Sequence, residues 1–173
     1  MSFHESDGQF KVDYSEGTKN YLLQGQDGDF PLVELERQEK ATETKMDFLL
    51  KYLMKRLEDV EDESLREKLR RLVAEIPKKI CDYVESRRGL MLTAKRMSYD
   101  DSEKYRAATE NADRVRNLAH NALLDSLRIC FRNIIKNTPE FGVPPSAVRE
   151  LIDERRDDHR DFVGREAVKY LGR

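Results

Sequence analysis

From Met46 onward the chain places apolar residues at steps of three and four: Met46, Leu49, Leu50, Leu53, Leu57 and Val60. That spacing lines up one stripe of an α-helix. It predicts a first long helix from about Leu32, just after Pro31, to about Val60, where the acidic run Glu58–Glu63 ends it. Its opening third, ELERQEKATETK, is almost wholly polar and is expected to project or fray. A second stripe follows, through Leu65, Leu69, Leu72, Val73, Ile76, Ile80, Tyr83 and Val84. Ser64-Leu65-Arg66-Glu67 reads as its capping box. Pro77 removes a helical N–H and crowds the preceding turn. Because the stripe stays in register beyond it, a kink is expected rather than a break, with the helix running to about Met97.

Ser98-Tyr99-Asp100-Asp101 predicts the next start, its acids favourably placed at the positive end of a helix dipole. The third helix then runs to Asn137. Tyr105, Ala108, Ala112, Val115, Ala119 and Ala122 form a stripe of mostly small residues, suited to close helix approach. Further on, Leu123, Leu124, Leu127, Cys130, Phe131, Ile134 and Ile135 are apolar around much of the circumference, which predicts a central position in a bundle.

Thr138-Pro139 through Pro144-Pro145 reads as a connector, since helices end before proline. A last helix is expected from Pro145, with Val148, Leu151, Ile152, Phe162, Val163, Ala167 and Leu171 as its apolar face and Gly164 weakening its middle. At the other end, Phe10, Val12 and Tyr14 alternate, and Tyr21 and Leu23 alternate again after a turn-forming Ser15-Glu16-Gly17-Thr18. This pattern suits a small hairpin, and a mobile tail suits it equally because a lone hairpin is marginal in water. Asp27-Gly28-Asp29 lacks the further ligands of a calcium loop and reads as linker. The expected architecture is therefore all-α: a mainly antiparallel bundle of about four long helices over residues 32–173, with a polar extension over residues 1–31.

Composition agrees. In 173 residues, 38% are hydrophobic and 38% charged, with no Trp and only 5 Pro, which suits amphipathic helices better than a turn-rich sandwich. Net charge is −2, so the chain as a whole is no electrostatic nucleic-acid binder. Its distribution is uneven. Acids dominate up to residue 63, whereas residues 64–98 carry 10 Lys and Arg against 4 Asp and Glu. Two antiparallel helices of opposite charge account for that pattern by mutual attraction. The alternative is a phosphate-tracking face formed by Arg70, Arg71, Lys78, Lys79, Arg87 and Arg88. Cys81 and Cys130 fall beside apolar residues and read as buried thiols rather than a disulfide framework. There is no apolar run of membrane-spanning length and no signal peptide, so the cytoplasm is the expected compartment.

Candidate chemistry gathers on the third helix. His120 shares a face with Asp113, Arg116 and Asn117 behind it and with Leu124, Leu127 and Phe131 ahead of it. A histidine at such a polar–apolar boundary suits general acid–base work near neutral pH, with Arg116 stabilising phosphate charge. The structural alternative is an Asp113–Arg116 ion pair, with His120 as an interhelical hydrogen-bond partner. Arg114-x5-His120 on a late helix of a small bundle resembles the Arg-x4-6-His signature of HEPN-type proteins. Many of those are metal-independent ribonucleases whose dimers bring Arg and His together. The resemblance implies that Arg114 stabilises phosphate and His120 serves acid–base chemistry. It departs from the pattern at Val115, where Asn, Asp or His is usual, and Arg116-Asn117 has the expected Asn with a spacing of only three to His120.

The segment AHNALLDSLRICFRN resembles, more loosely, small all-helical bacterial proteins of unknown function. Glu58/Glu61 and Glu110/Asp113 resemble the magnesium-holding carboxylate pairs of all-helical nucleoside-triphosphate pyrophosphohydrolases, although there the pairs lie closer in sequence. Solvated helix ends explain them as well. His159, among Asp157, Asp158 and Asp161, lacks the three converging ligands of a metal site and reads as charged-face packing. No metal or cofactor is expected. Two functions follow from the residues: a non-catalytic interaction or regulatory protein of unknown partner, with a homodimer through the small-residue stripe, or a HEPN-like endoribonuclease using His120 with Arg114 or Arg116. A magnesium-dependent nucleotide hydrolase is a distant third.

Overall fold

A computed structural model describes residues 2–6, 9–13, 32–100, 103–139, 144–152 and 161–168. Its core is an all-helical bundle. Three long helices, α1 (Leu32–Leu57), α2 (Glu63–Asp100) and α3 (Glu103–Asn137), are followed by the short α4 (Ser146–Ile152) and α5 (Phe162–Val168). Among the described residues the expected last long helix is thus two short ones, with the non-helical Asp161 directly before the second. A two-stranded antiparallel hairpin precedes them, pairing β1 (Ser2–Ser6) with β2 (Gln9–Asp13) in a register that sets Phe3 opposite Val12. Phe10 and Val12 therefore lie in a strand, but their partner is upstream of them. Tyr14, Tyr21, Leu23, the Asp27–Asp29 triplet and Leu171 lie outside the described residues, as does His159.

The long helices run antiparallel. Glu39 meets Arg88 and Glu58 meets Arg70 across α1 and α2, while Lys79 meets Ser126 across α2 and α3. The α2–α3 pairing is the most extensive in the fold. Between the layers lie Leu49, Leu53, Ile76, Tyr83, Leu123, Leu127 and Phe131, joined by Val148 and Leu151 from α4 and by Phe162 and Val163 from α5. Full burial of side chains of this kind stabilises by roughly 1.5–3 kcal/mol each. A smaller cluster of Leu35, Met91 and Ala94 closes the far end.

Several local expectations change. The polar opening of α1 does not fray: Leu35, Ala41, Thr42 and Lys45 are all buried there. Helix α2 is capped by Asp62, not Ser64, because its carboxylate accepts from the Leu65 N–H at 3.1 Å and satisfies one of the first turn's free donors. The helix continues unbroken through Pro77 and past the Ser98 start signal to Asp100. At the end of α3, Thr138 returns its hydroxyl to the Ile134 carbonyl at 2.6 Å. Arg128 and Arg132 of α3 donate to the carbonyls of Leu151 and Ile152, covering the otherwise unbonded C-terminal end of α4. Among the described residues, no helix is long and apolar enough to cross a membrane.

Candidate functional site

A buried polar cluster lies where α1, α2, α3 and the start of α5 meet. Its centre is Asp161, which is only 7% exposed. As the residue before α5, it caps that helix: the Gly164 N–H donates to its Oδ1 at 3.2 Å. The Tyr83 hydroxyl, from α2, donates to the same oxygen. One turn along α2, Arg87 donates from Nε to Oδ2 at 2.7 Å, and its Nη2 donates to Gln38 of α1. Burial alone would raise the Asp161 pKa. The charges of Arg87 and Arg116, with the Tyr83 hydrogen bond, outweigh it and hold the carboxyl below the usual carboxylate range. Burial and the Asp161 charge push Tyr83 well above its ordinary value, so it stays a donor. Desolvation opposes the charge on Arg87, but Asp161, Tyr83 and Glu39 more than compensate.

His120 enters from α3. Its Nε2 accepts the Val163 N–H at 3.2 Å, and Nδ1 lies 3.1 Å from Asn121 Oδ1. The first bond requires an unprotonated Nε2, which leaves Nδ1–H as the donor to Asn121. His120 and Asp161 between them satisfy two of the free N–H groups that open α5. The His120 ring also packs against Tyr83, with centroids 5.6 Å apart. One turn back, Arg116 and Asp113 form an ion pair at 3.1 Å, 1% and 0% exposed, and Asn117 donates to the same carboxylate. Lys45 of α1 stands over the Phe162 ring at 5.6 Å.

The residues expected to carry chemistry are therefore divided. His120, Arg116 and Asn117 come together, and all are buried. Arg114 does not join them: it lies on the exposed arc of α3 and donates to Asn111. The two are separated because six positions advance a helix by about 600°, which is 240° round from the start. Arg114 and His120 of one chain thus face different ways.

Most of the basic residues expected to track phosphate have intramolecular partners. Arg70 meets Glu58 and Glu67, Arg88 grips Glu39 with two nitrogens, Lys78 meets Asp82 and Lys79 meets Glu75 and Ser126. Arg87 is inside the fold on Asp161, and Arg71 alone of the six has no such partner among the described residues. The two carboxylate pairs are also apart. Glu58 lies beside Arg70, whereas Asp113 is about two turns from His120, which packs on Tyr83. Positions 70 and 83 of one helix are ~20 Å apart. Glu110 is taken by Arg106. Among the described residues no group of three His, Cys, Asp or Glu is placed to hold a metal. Cys130 is buried, with its thiol pushed up to about 11 by desolvation that the Lys79 charge only partly offsets, but Cys81 is exposed, contrary to the expectation from its apolar neighbours.

Asp161, Tyr83 and Arg87 were not legible as one group. Asp161 stood out only as a neighbour of His159, Tyr83 as core and Arg87 as surface base. The available signal was local: an Asp directly before Phe162-Val163 is a helix-capping position.

Fold and site define a helical bundle closed around an internal ionic and hydrogen-bonded cluster. Residues 32–161 match the model of a family described as a protein of unknown function, DUF3232, and the chain belongs to that family. The match begins where α1 begins and ends on Asp161. Comparison with the curated proteins gives no match, and comparison with the solved structures gives none.

Proposed function

We propose that this chain is a non-catalytic interaction protein, and that the His120 constellation serves to fix the last helices onto the bundle. The observation that carries this reading is the engagement of His120: it is 3% exposed, and its Nε2 accepts a backbone N–H of α5. A general acid or base must reach a substrate proton directly or through one water. Here the nitrogen with the free lone pair is occupied by the fold. Arg116 is equally committed, at 1% exposure and paired with Asp113. Among the described residues, a cavity of about 800 Å³ beside Asp62 and Arg71 and one of about 480 Å³ beside Leu50 and Pro77 both lie away from His120.

The test is RNA cleavage in EDTA by the purified protein and by His120→Gln, which keeps a hydrogen-bond acceptor near the Val163 N–H. Neither protein is expected to cut. Cleavage by the unaltered chain that disappears in a folded His120→Gln variant would overturn the reading and establish a HEPN-like ribonuclease.

A further inference from the structure

The outward face of α3 is unusual for a bundle with so charged a surface. Val115 is 46% exposed, Leu118 66% and Ile129 47%, and Ala108 and Ala122 are exposed beside them. Ala108, Asn111, Val115, Leu118, Ala122, Asp125 and Ile129 alternate at steps of three and four, the heptad spacing of a helix that pairs with another helix. The opposite face of α3 already fills the core through Leu123, Leu127, Phe131 and Ile134. The heptad is therefore additional to what the fold of one chain requires.

Two charges border this stripe. Asp125 is exposed and has no ion pair among the described residues, although it sits between apolar Ala122 and Ile129. Arg114 is exposed and bonded only to the neutral Asn111 side chain. Viewed down α3, both lie to the same side of Leu118, at about −20° for Asp125 and about −40° for Arg114, while Val115, Ala122 and Ile129 lie to the other side.

From these we infer that α3 pairs antiparallel with α3 of a second copy of this chain, about a two-fold axis near His120. This rests on the interaction-protein reading and names its partner. In that arrangement Leu118 of each copy lies against Ala122 of the other, flanked by Val115. Arg114 stands six residues before the axis and Asp125 five after it. On an antiparallel pair the Arg114 of one copy and the Asp125 of the other therefore differ in height by only ~1.5 Å. A two-fold perpendicular to the helices keeps both on the same side of the interface, so Arg114 of each copy meets the Asp125 carboxylate of the other, twice. A parallel pairing gives no such match, since it sets Asp125 beside Asp125 and Arg114 beside Arg114.

The experiment uses full-length chains. The unaltered protein is followed by sedimentation velocity over a dilution series and is expected to pass from monomer to dimer. Leu118→Glu, on an exposed position, is expected to keep the helical signal and melting temperature while weakening dimerisation at least tenfold. Arg114→Asp and Asp125→Arg each place like charges together twice in their own homodimer, and each is expected to weaken it roughly tenfold. Mixed together, the two variants restore both opposite-charge pairs, so a heterodimer is expected at about the strength of the unaltered dimer. A monomer throughout the series, a dimer indifferent to Leu118→Glu, or a mixture no stronger than the separate variants would each overturn the inference. None of these results depends on whether RNA is cut, so the two readings fail separately.

Discussion

Replacing Asp161 by Asn changes one buried atom and tests the centre of the fold. The substitution keeps the shape and leaves an oxygen to accept from Tyr83 and Gly164. It removes the charge opposite Arg87 and turns an amide N–H towards the Arg87 Nε that now donates at 2.7 Å. Arg87 is 7% exposed, so water cannot replace the lost partner without the bundle opening. Breaking a buried pair on one side typically costs about 3–5 kcal/mol, because the remaining charge is left desolvated and unpaired. Removing both charges, in Asp161→Asn with Arg87→Met, is expected to recover most of that loss.

The same pair sets a pH dependence. The folded carboxyl of Asp161 titrates below the usual range, whereas an unfolded Asp titrates near ~3.9. A depressed folded pKa contributes stability that is present above the unfolded value and is lost as pH falls through the folded one. The stability difference between the unaltered protein and Asp161→Asn is therefore largest near neutrality and narrows on acidification below about pH 4. Urea unfolding at a series of pH values, read by far-ultraviolet circular dichroism, measures it. A cost below about 1 kcal/mol at neutral pH, or a difference that widens with acid, would refute the argument.

Gly164→Ala is expected to destabilise despite the helix propensity of Ala, which favours it by about 1 kcal/mol. Its Cβ would fall 2.5 Å from the Tyr83 hydroxyl and 2.8 Å from Arg87 Nε, so denaturant unfolding should show a net loss of roughly 1–3 kcal/mol, partly recovered by adding Tyr83→Phe. Of the two thiols, Cys81 should react promptly with a thiol reagent at neutral pH and Cys130 only on unfolding, since it is buried and its thiol titrates at about 11. Equal rates for the two in the folded protein would contradict the packing.

The periodicity made the long helices legible because each buries one continuous stripe. Leu49, Leu53, Leu69, Ile76, Leu127 and Phe131 all lie in the core. The ends were less so. Asp62 outcompetes Ser64 as the cap, and Ser98 starts nothing because α2 runs on to Asp100. The polar opening of α1 gave no apolar stripe to read, yet it is held by α2 through charge: Gln38 bonds Arg87 and Glu39 bonds Arg88. In the site, the i,i+3 link of Asp113 to Arg116 was visible from spacing alone, and so was the shared face with His120. What joins them to Asp161, Tyr83 and Arg87 is contact between residues up to 78 positions apart, and no local pattern encodes that.

The buried cluster and the outward stripe of α3 are two consequences of one helix. Its inner face spends its polar residues on holding α5, through His120 on the Val163 N–H, and so keeps them from solvent. Its outer face leaves Val115, Leu118 and Ile129 in water. Leu123, Leu127 and Phe131 of the inner face already fill the core, and a helix designed only for folding would keep its outer face polar. The inward polar groups give the short α5, with its 7 residues, a fixed seat that apolar packing alone specifies less narrowly. The outward apolar groups need a second surface to cover them. An antiparallel copy of the same helix does so while giving a cation to Asp125, which has no ion pair among the described residues.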